Sequence, residues 1–337
     1  MNAQVFCGAS AIQTVSTTLS IKDVFGTCKA RMGFSRMDYK VDPGVYAVGK
    51  PDNGSHVLVS ANYKLSFDTL RKNLDGLDCW ILVLDTKGIN VWCAAGKGTF
   101  GTEELVNRIE AVRLSRLVAH RKLLLPQLGA VGVRACEVTR RTGFSVVYGP
   151  VRANDIKAFI LAGYNATKEM RMVRFNLRDR LVLTPVELVS AVRKSLPILG
   201  GLFITNQFAA RPFDKCDIAA YAGAVVAGTV ITPALLPYIP GKAFAWKGWL
   251  VGMGWTAKLL LLTKRFKKGS RLISAGELLL FPVVSSYLAM NFTGASSYTS
   301  PSGVNKEMKK ALPWIVGAAA VGGALTLGAH LFGGRKK

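Results

Sequence analysis

Residues 218–241 contain no charged side chain, and an apolar run of that length is built either to cross a bilayer or to lie wholly inside a core. It is one of four. Residues 243–263 form a second candidate, with Lys247 and Lys258 near enough to the ends to snorkel. Residues 272–292 form a third, carrying Glu277 close to one end, and residues 312–332 a fourth, rich in the Gly and Ala that let membrane helices approach closely. Residues 218–332 are therefore expected to be an all-α transmembrane helical domain with four spans. Residues 186–217 make a weaker, amphipathic connector: Glu187, Arg193 and Lys194 interrupt it, which suits an interfacial or core helix, with a fifth span as the rival reading. Composition agrees. The chain is 50% hydrophobic yet carries a net charge of +24. That pairing suits basic residues at a cytoplasmic membrane surface, whereas nucleic-acid binders set theirs among aromatics on a soluble face. No nucleic-acid partner is expected.

The basic clusters set an orientation. Lys264, Arg265, Lys267, Lys268 and Arg271 form one loop, and Arg335, Lys336 and Lys337 lie in the tail, residues 333–337. Four spans after a cytoplasmic first domain put both clusters inside. A fifth span would put both outside. Lys306, Lys309 and Lys310 then fall on the outer side, against the trend.

Ahead of this region the pattern changes. Residues 1–40 are polar and read as irregular. From 41 to 185, strand signals at 45–48, 56–61, 79–85, 132–138 and 144–148 alternate with helical ones at 64–74, 102–120 and 154–162, and 172–175 and 181–184 resemble closing strands. Such alternation predicts an α/β domain with a largely parallel sheet. The six cysteines include no CxxC pair, so neither a zinc knuckle nor a locally spaced iron–sulfur site is supported. No basic segment followed by an apolar run opens the chain, so a cleaved signal peptide is not expected and the thiols should be reduced.

The stretch that carries chemistry is Asn90-Val91-Trp92-Cys93-Ala94-Ala95-Gly96-Lys97, between the apolar strand at 79–85 and a helix start at Thr102-Glu103-Glu104, read as having a hydroxyl cap. Gly96, Gly98 and Gly101 formally match a dinucleotide fingerprint. The ribose-binding acid expected downstream is missing, since no Asp or Glu occurs between Glu110 and Glu137. Cys93 could be a small buried hydrophobe, a nucleophile, or a metal ligand. A nucleophile needs a base, and the histidines are His56, His120 and His330. A metal held by one thiolate would have to arrive already chelated in a cofactor.

The stretch Asn90–Lys97 resembles the signature of the mercury-methylating corrinoid protein family. Ser60-Ala61-Asn62-Tyr63, Asp85-Thr86-Lys87-Gly88-Ile89 and Gly149-Pro150-Val151-Arg152-Ala153 are similar to that family too. They also resemble, more distantly, the corrinoid domain of the large subunit of the acetyl-CoA pathway's corrinoid iron–sulfur protein, whose cysteine cluster is missing here. The resemblance implies a Rossmann-like domain binding a cobalamin-type corrinoid, one face covered by a helix beginning near Asn90. Cys93 would be the lower axial ligand to cobalt, with Asn90, Val91, Trp92, Ala94, Ala95, Gly96, Lys97, Ser60 and Asn62 around the cofactor. The implied activity is methyl transfer from a methyl-tetrahydrofolate-type donor, or its methyltransferase, to Hg(II). A thiolate opposite the methyl group would donate charge as it leaves with its bonding electrons. Electrons would come from a ferredoxin-like partner with two [4Fe–4S] clusters. The alternatives are a membrane-tethered corrinoid methyl carrier of one-carbon or acetyl-CoA metabolism, and a transporter, for which Glu277, Lys247, Lys258 and His330 would be the intramembrane ionisable residues.

Overall fold

The computed structural model describes residues 6–7, 10–206, 214–265 and 271–332. They fall into two compact units, Met1–Ala30 with Phe34–Val173, and Arg31–Gly33 with Arg174–Lys337.

In the first unit a short hairpin, β1 (Phe6–Cys7) and β2 (Ser10–Ala11), precedes a six-stranded sheet. Its elements run β3 (Gln13–Val15), α1 (Ile21–Arg31), β4 (Gly44–Val48), β5 (His56–Ala61), α2 (Lys64–Lys72) and β6 (Cys79–Leu84). Next come α3 (Val91–Lys97), α4 (Thr102–Ala111), α5 (Leu114–Leu117), β7 (Lys122–Leu125), α6 (Ala135–Thr142), β8 (Ser145–Tyr148) and α7 (Ile156–Leu161). The strand order is β3-β4-β6-β5-β7-β8. Strands β5, β6, β7 and β8 are parallel, and β4 joins β6 antiparallel with β3 alongside it.

Every residue of β6 is buried, as expected of an apolar run flanked by strands and covered on both faces. One face packs Trp80 and Leu82 against α3, α4 and α6 through Ala94, Leu105 and Val138. The other packs Ile81 and Val83 against α2 and α7 through Phe67, Leu70 and Phe159.

Several expectations change. Residues 1–40 are not irregular throughout, since β3 and α1 lie there. The helix expected over 102–120 stops at Ala111, because Arg113 turns left-handed at φ 49°. Past α5 the chain enters β7, whose short Leu123-Leu124-Leu125 run reads equally as helix or strand. The strand expected at 132–138 is instead occupied by α6, in which Glu137 faces Arg134 and Arg141 at helical spacing. The segments 172–175 and 181–184 are not closing strands. Asn176 and Asp179 form a capping box that starts a helix, and Thr184 opens another.

Helix α1 is tied to α2 by charge. Lys64 bridges Asp23 and Asp68 at 2.6 Å each, and Arg71 reaches Asp23 at 2.8 Å and Asp68 at 2.7 Å. Burial pushes the Asp23 carboxyl up, but hydrogen bonds from Lys64 and Ser20 outweigh it and hold the group well below the usual carboxylate range.

The second unit is helical: α8 (Leu177–Leu181), α9 (Thr184–Asn206), α10 (Lys215–Val226), α11 (Thr232–Ala234), α12 (Phe244–Leu262), α13 (Arg271–Asn291) and α14 (Pro301–Phe332). A π-helical turn, Ala227–Ile231, joins α10 to α11. Helix α13 packs against α10, α12 and α14. Close approach uses small residues: a methyl group on Gly248 would stand 2.5 Å from the Ser285 carbonyl oxygen.

Among the described residues, three helical runs are long and apolar enough to cross a membrane by length and composition: Lys215–Ala234, Arg271–Ala295 and Ser302–Ala329. The expected second span forms α12 but falls short of that apolarity, since two lysines, three tryptophans and three glycines dilute it. Lys247 does not snorkel; it is buried and donates to the Leu236 carbonyl. Nor is Arg265 part of a solvated basic loop. It is buried and paired with Asp214, Asp217 and Glu277. Lys267, Lys268, Arg335, Lys336 and Lys337 lie outside the described residues.

The Asp23 network gives a pH-dependent test. Because the folded carboxyl titrates below its unfolded value of about 3.9, its stabilisation is complete above that pH and disappears as pH falls through the folded value. Asp23→Asn should cost on the order of 2 kcal/mol at neutral pH, between the values for exposed and buried pairs. Thermal melts of the detergent-solubilised chain should show a lower midpoint and a flatter acid limb.

Candidate functional site

The order β6-β5-β7-β8 places consecutive strands on opposite sides of β5, so the chain reverses direction between β5 and β7. In open α/β sheets, crevices for ligands form outside the carboxyl ends of the strands at that switch point. A cleft of about 360 Å³ lies there, lined by Ser60 from β5, Leu125 from β7, Val151 after β8, Thr69 of α2, Phe159 of α7, and Asn90 with Trp92 at the start of α3.

Helix α3 starts where Asn90 caps it. Its backbone is extended, and its side-chain oxygen accepts the Cys93 N–H at 2.9 Å. The helix then sorts its residues by face. Ala94 and Ala95 are buried against the sheet, whereas Trp92, Cys93, Gly96 and Lys97 are exposed. A methyl group on Gly96 would touch nothing within 4 Å, so the surface one turn beyond the Cys93 thiol is open. Gly132 is closed by contrast: a methyl group there would stand 2.1 Å from the Phe100 carbonyl oxygen and 3.1 Å from Ala95 Cα.

The loop feeding α3 is held by Asn62. This residue is 2% exposed, and its Oδ1 accepts from the Thr86 N–H at 3.1 Å and the Gly88 N–H at 3.0 Å. Thr86 Oγ1 lies 2.9 Å from that oxygen and 2.7 Å from the Ile89 carbonyl. Asn62 Nδ2 donates to Asp85 Oδ1 at 3.2 Å. Gly88 must be glycine: its φ is +72°, and a Cβ would stand 2.3 Å from the Met37 carbonyl oxygen. A hydrogen bond from Lys87 lowers the Asp85 carboxyl below its ordinary range.

Of the residues expected around a cofactor, Ser60, Asn90, Val91 and Trp92 line the cleft. Cys93, Gly96 and Lys97 share the exposed face of α3 beside it, and Ala94 and Ala95 support that face from below. Asn62 does not reach the cleft and acts on the loop instead. The glycine fingerprint loses its context. Gly98, at φ +81°, ends α3 and Gly101 caps α4, so the motif joins two helices where a dinucleotide site joins strand to helix. Thr102 is not the cap; its hydroxyl accepts the Arg134 N–H at 2.9 Å.

Pro126, in the loop after β7, carries no sequence signal because β7 itself has no distinctive pattern, and Thr69 reads only as part of the helix expected at 64–74. Burial pushes the Cys79 thiol up to about 12, which leaves it inert, whereas Cys93 is exposed. Among the described residues no group of three or more His, Cys, Asp and Glu could hold a metal ion. A metal at Cys93 would therefore bring its other ligands with it.

Comparison with known proteins falls on this unit. Residues 33–160 match the family model for the CO dehydrogenase/acetyl-CoA synthase delta subunit. Over 127 residues the chain is 32% identical to the acetyl-CoA decarbonylase/synthase complex subunit gamma of Methanopyrus kandleri, covering 37% of this chain and 27% of that one. The corresponding subunit of Methanocaldococcus jannaschii is also 32% identical over 127 residues, covering 37% and 26%. That of Archaeoglobus fulgidus is 31% identical, covering 37% and 27%. The chain thus spans about a quarter of the length of these curated relatives. Every cleft-lining residue lies inside the matched stretch, and the helices from α8 onward lie outside it. Of the two likenesses read from the sequence, these relatives support the one to the acetyl-CoA pathway protein.

Two measurements check the geometry. Asn90→Ala should cost about 1 kcal/mol of local helix stability, seen as faster amide hydrogen exchange across residues 93–96. In the native chain N-ethylmaleimide should modify Cys93, with Cys79 reacting only after unfolding, as peptide mass spectrometry would resolve.

Proposed function

We propose that the α/β unit binds a cobalamin-type corrinoid over the exposed face of α3, with Cys93 as the lower axial ligand, and that the chain is a membrane-tethered methyl carrier of one-carbon metabolism. The observation that carries this reading is the exposed Cys93 thiol, one turn from the open surface at Gly96, beside the cleft at the β5/β7 switch point. When bound, a corrinoid supplies a cobalt centre that can take a methyl group from a methyl-tetrahydrofolate-type donor and pass it on.

The chain's own residues prepare the place. Asn90 fixes the turn that presents Cys93. Ala94 and Ala95 let α3 sit close on the sheet, and Gly96 leaves room for a broad, flat group. Asn62 holds the preceding loop so that the cap falls where it does. Ser60 and Trp92 line the cleft, Val91 and Asn90 its edge, and Lys97 stands at the exposed end of the helix.

The named relatives, all subunits of acetyl-CoA decarbonylase/synthase complexes, favour an acceptor in acetyl-CoA metabolism. A second reading takes Hg(II) as the acceptor. It is favoured by the Asn90–Lys97 signature and by a thiolate donor, which assists departure of a methyl group with its electron pair. In the second reading, where the methyl group would leave with its electron pair, a ferredoxin-like partner with two [4Fe–4S] clusters would supply the two electrons that restore the reduced cobalt. Both readings place the chain in the cytoplasmic membrane, the α/β unit on the cytoplasmic side, in keeping with its three bilayer-length helices.

Optical spectroscopy of the corrinoid-loaded full chain should show a cobalt–thiolate signature that Cys93→Ala abolishes. Uptake of corrinoid with an unchanged spectrum in that variant would remove Cys93 from the metal. Assays offering acetyl-CoA synthase or Hg(II) in parallel then separate the acceptors: methylmercury formed only with Cys93 intact selects the second reading.

A further inference from the structure

Helix α1 is built the wrong way out for a soluble protein. The face turned to the α/β unit carries Asp23, Gly26 and Ala30. Asp23 is ion-paired to Lys64 and Arg71, Gly26 is so close to Tyr39 that a Cβ would meet the ring at 2.7 Å, and Ala30 is buried. The large apolar residues recur on the opposite face at helical spacing: Ile21 is 89% exposed, Phe25 71%, and Val24 and Cys28 are exposed with them. By the same period Lys22 and Lys29 border one edge of this face. An ordinary surface helix buries its large apolar side and shows its small and charged one.

We propose that α1 lies in the interfacial plane of an anionic bilayer, with Ile21, Val24, Phe25 and Cys28 among the acyl chains and the flanking basic side chains at the headgroups. Apolar residues on one face with Lys and Arg along its borders form the pattern that seats an amphipathic helix at a lipid surface. Charge supports lipid as the occupant, since Lys22 and Lys29 line a border of the apolar face. The apolar character also continues past the helix in exposed Phe34 and Met37. Such a contact would hold the α/β unit by a second attachment besides the covalent link to α8. The inference rests on reading the second unit as membrane-embedded, and the test separates the two.

The full chain carrying Phe25→p-benzoylphenylalanine is reconstituted in vesicles of roughly 70:30 phosphatidylcholine to phosphatidylglycerol, irradiated and analysed by mass spectrometry. Two further positions serve as references: Leu161, 88% exposed on α7 of the α/β unit, and Trp314, 82% exposed on α14. Lipid adducts at position 25 at least fivefold above those at 161 are expected. Lys22→Glu with Lys29→Glu, or vesicles of phosphatidylcholine alone, should lower them at least threefold. Adducts at 314 but not at 25 would overturn the placement of α1 while leaving the spans intact. Adducts at neither would remove the membrane reading itself. Adducts from position 25 to a polypeptide in place of lipid would overturn the proposal in favour of a protein-docking face.

Discussion

The α/β unit turns on one buried amide. Asn62 sits at the end of β5, and its side chain satisfies the backbone N–H groups of Thr86 and Gly88 in the loop after β6. Its own backbone N–H donates to the Leu84 carbonyl at 3.0 Å, and its carbonyl accepts from Val41 at 2.9 Å. Three chain segments meet at this residue. Apolar replacement would leave two buried N–H groups without their acceptor, and an unmet buried donor costs more than a formed hydrogen bond gains. The loop so fixed ends at Asn90, whose cap sets the first turn of α3 and hence the position of Cys93. Thus a residue with no access to the cleft governs the placement of the thiol beside it.

The surroundings make that control effective. Strand β6 is buried along its whole length and β5 along nearly all of it, so the strand ends from which the loops depart are rigid. Where the loops leave, the backbone takes conformations that only special residues tolerate, as at Gly88. The unit therefore concentrates its apolar packing in the sheet and its polar hydrogen bonding in the connections.

Much of this was legible in the sequence, and for physical reasons. The strands at 44–48, 56–61 and 79–84 are apolar runs bounded by turn residues, and a helix beginning near Asn90 is what the family resemblance implies. The neighbourhood of Cys93 was legible because small residues on successive helix positions serve chiefly to admit close approach, either by the sheet or by a bound group. The parts that were not legible depend on partners distant in sequence. Leu123-Leu124-Leu125 is too short to announce itself as a strand, and pairing with β5 and β8 decides it. Asn62 reads as a candidate cofactor contact, and its hydrogen bonds to the loop after β6 are not legible, because no local pattern says whether a buried amide faces a ligand or a backbone. The inverted face of α1 was missed because its polarity resembles that of any short surface helix until Asp23 is seen paired inward.

The same dependence on distant partners alters how charge is to be counted in the helical unit. Arg265 reads as one member of a basic loop, but Asp214 at the start of α10, Asp217 on α10 and Glu277 on α13 all pair with it. Its charge is neutralised inside the protein, so it contributes nothing to attraction toward an anionic surface and should not be counted toward orientation. The cluster holds more acid than base, and it joins three elements through one guanidinium, whose planar fork can serve several carboxylates at once. Removing the arginine would leave buried carboxylates facing one another, which is far more costly than the pair is stabilising. The positive charge that remains available to a membrane surface thus lies on basic side chains outside such buried clusters, and the two lysines bordering α1 are set where an interfacial helix would use them.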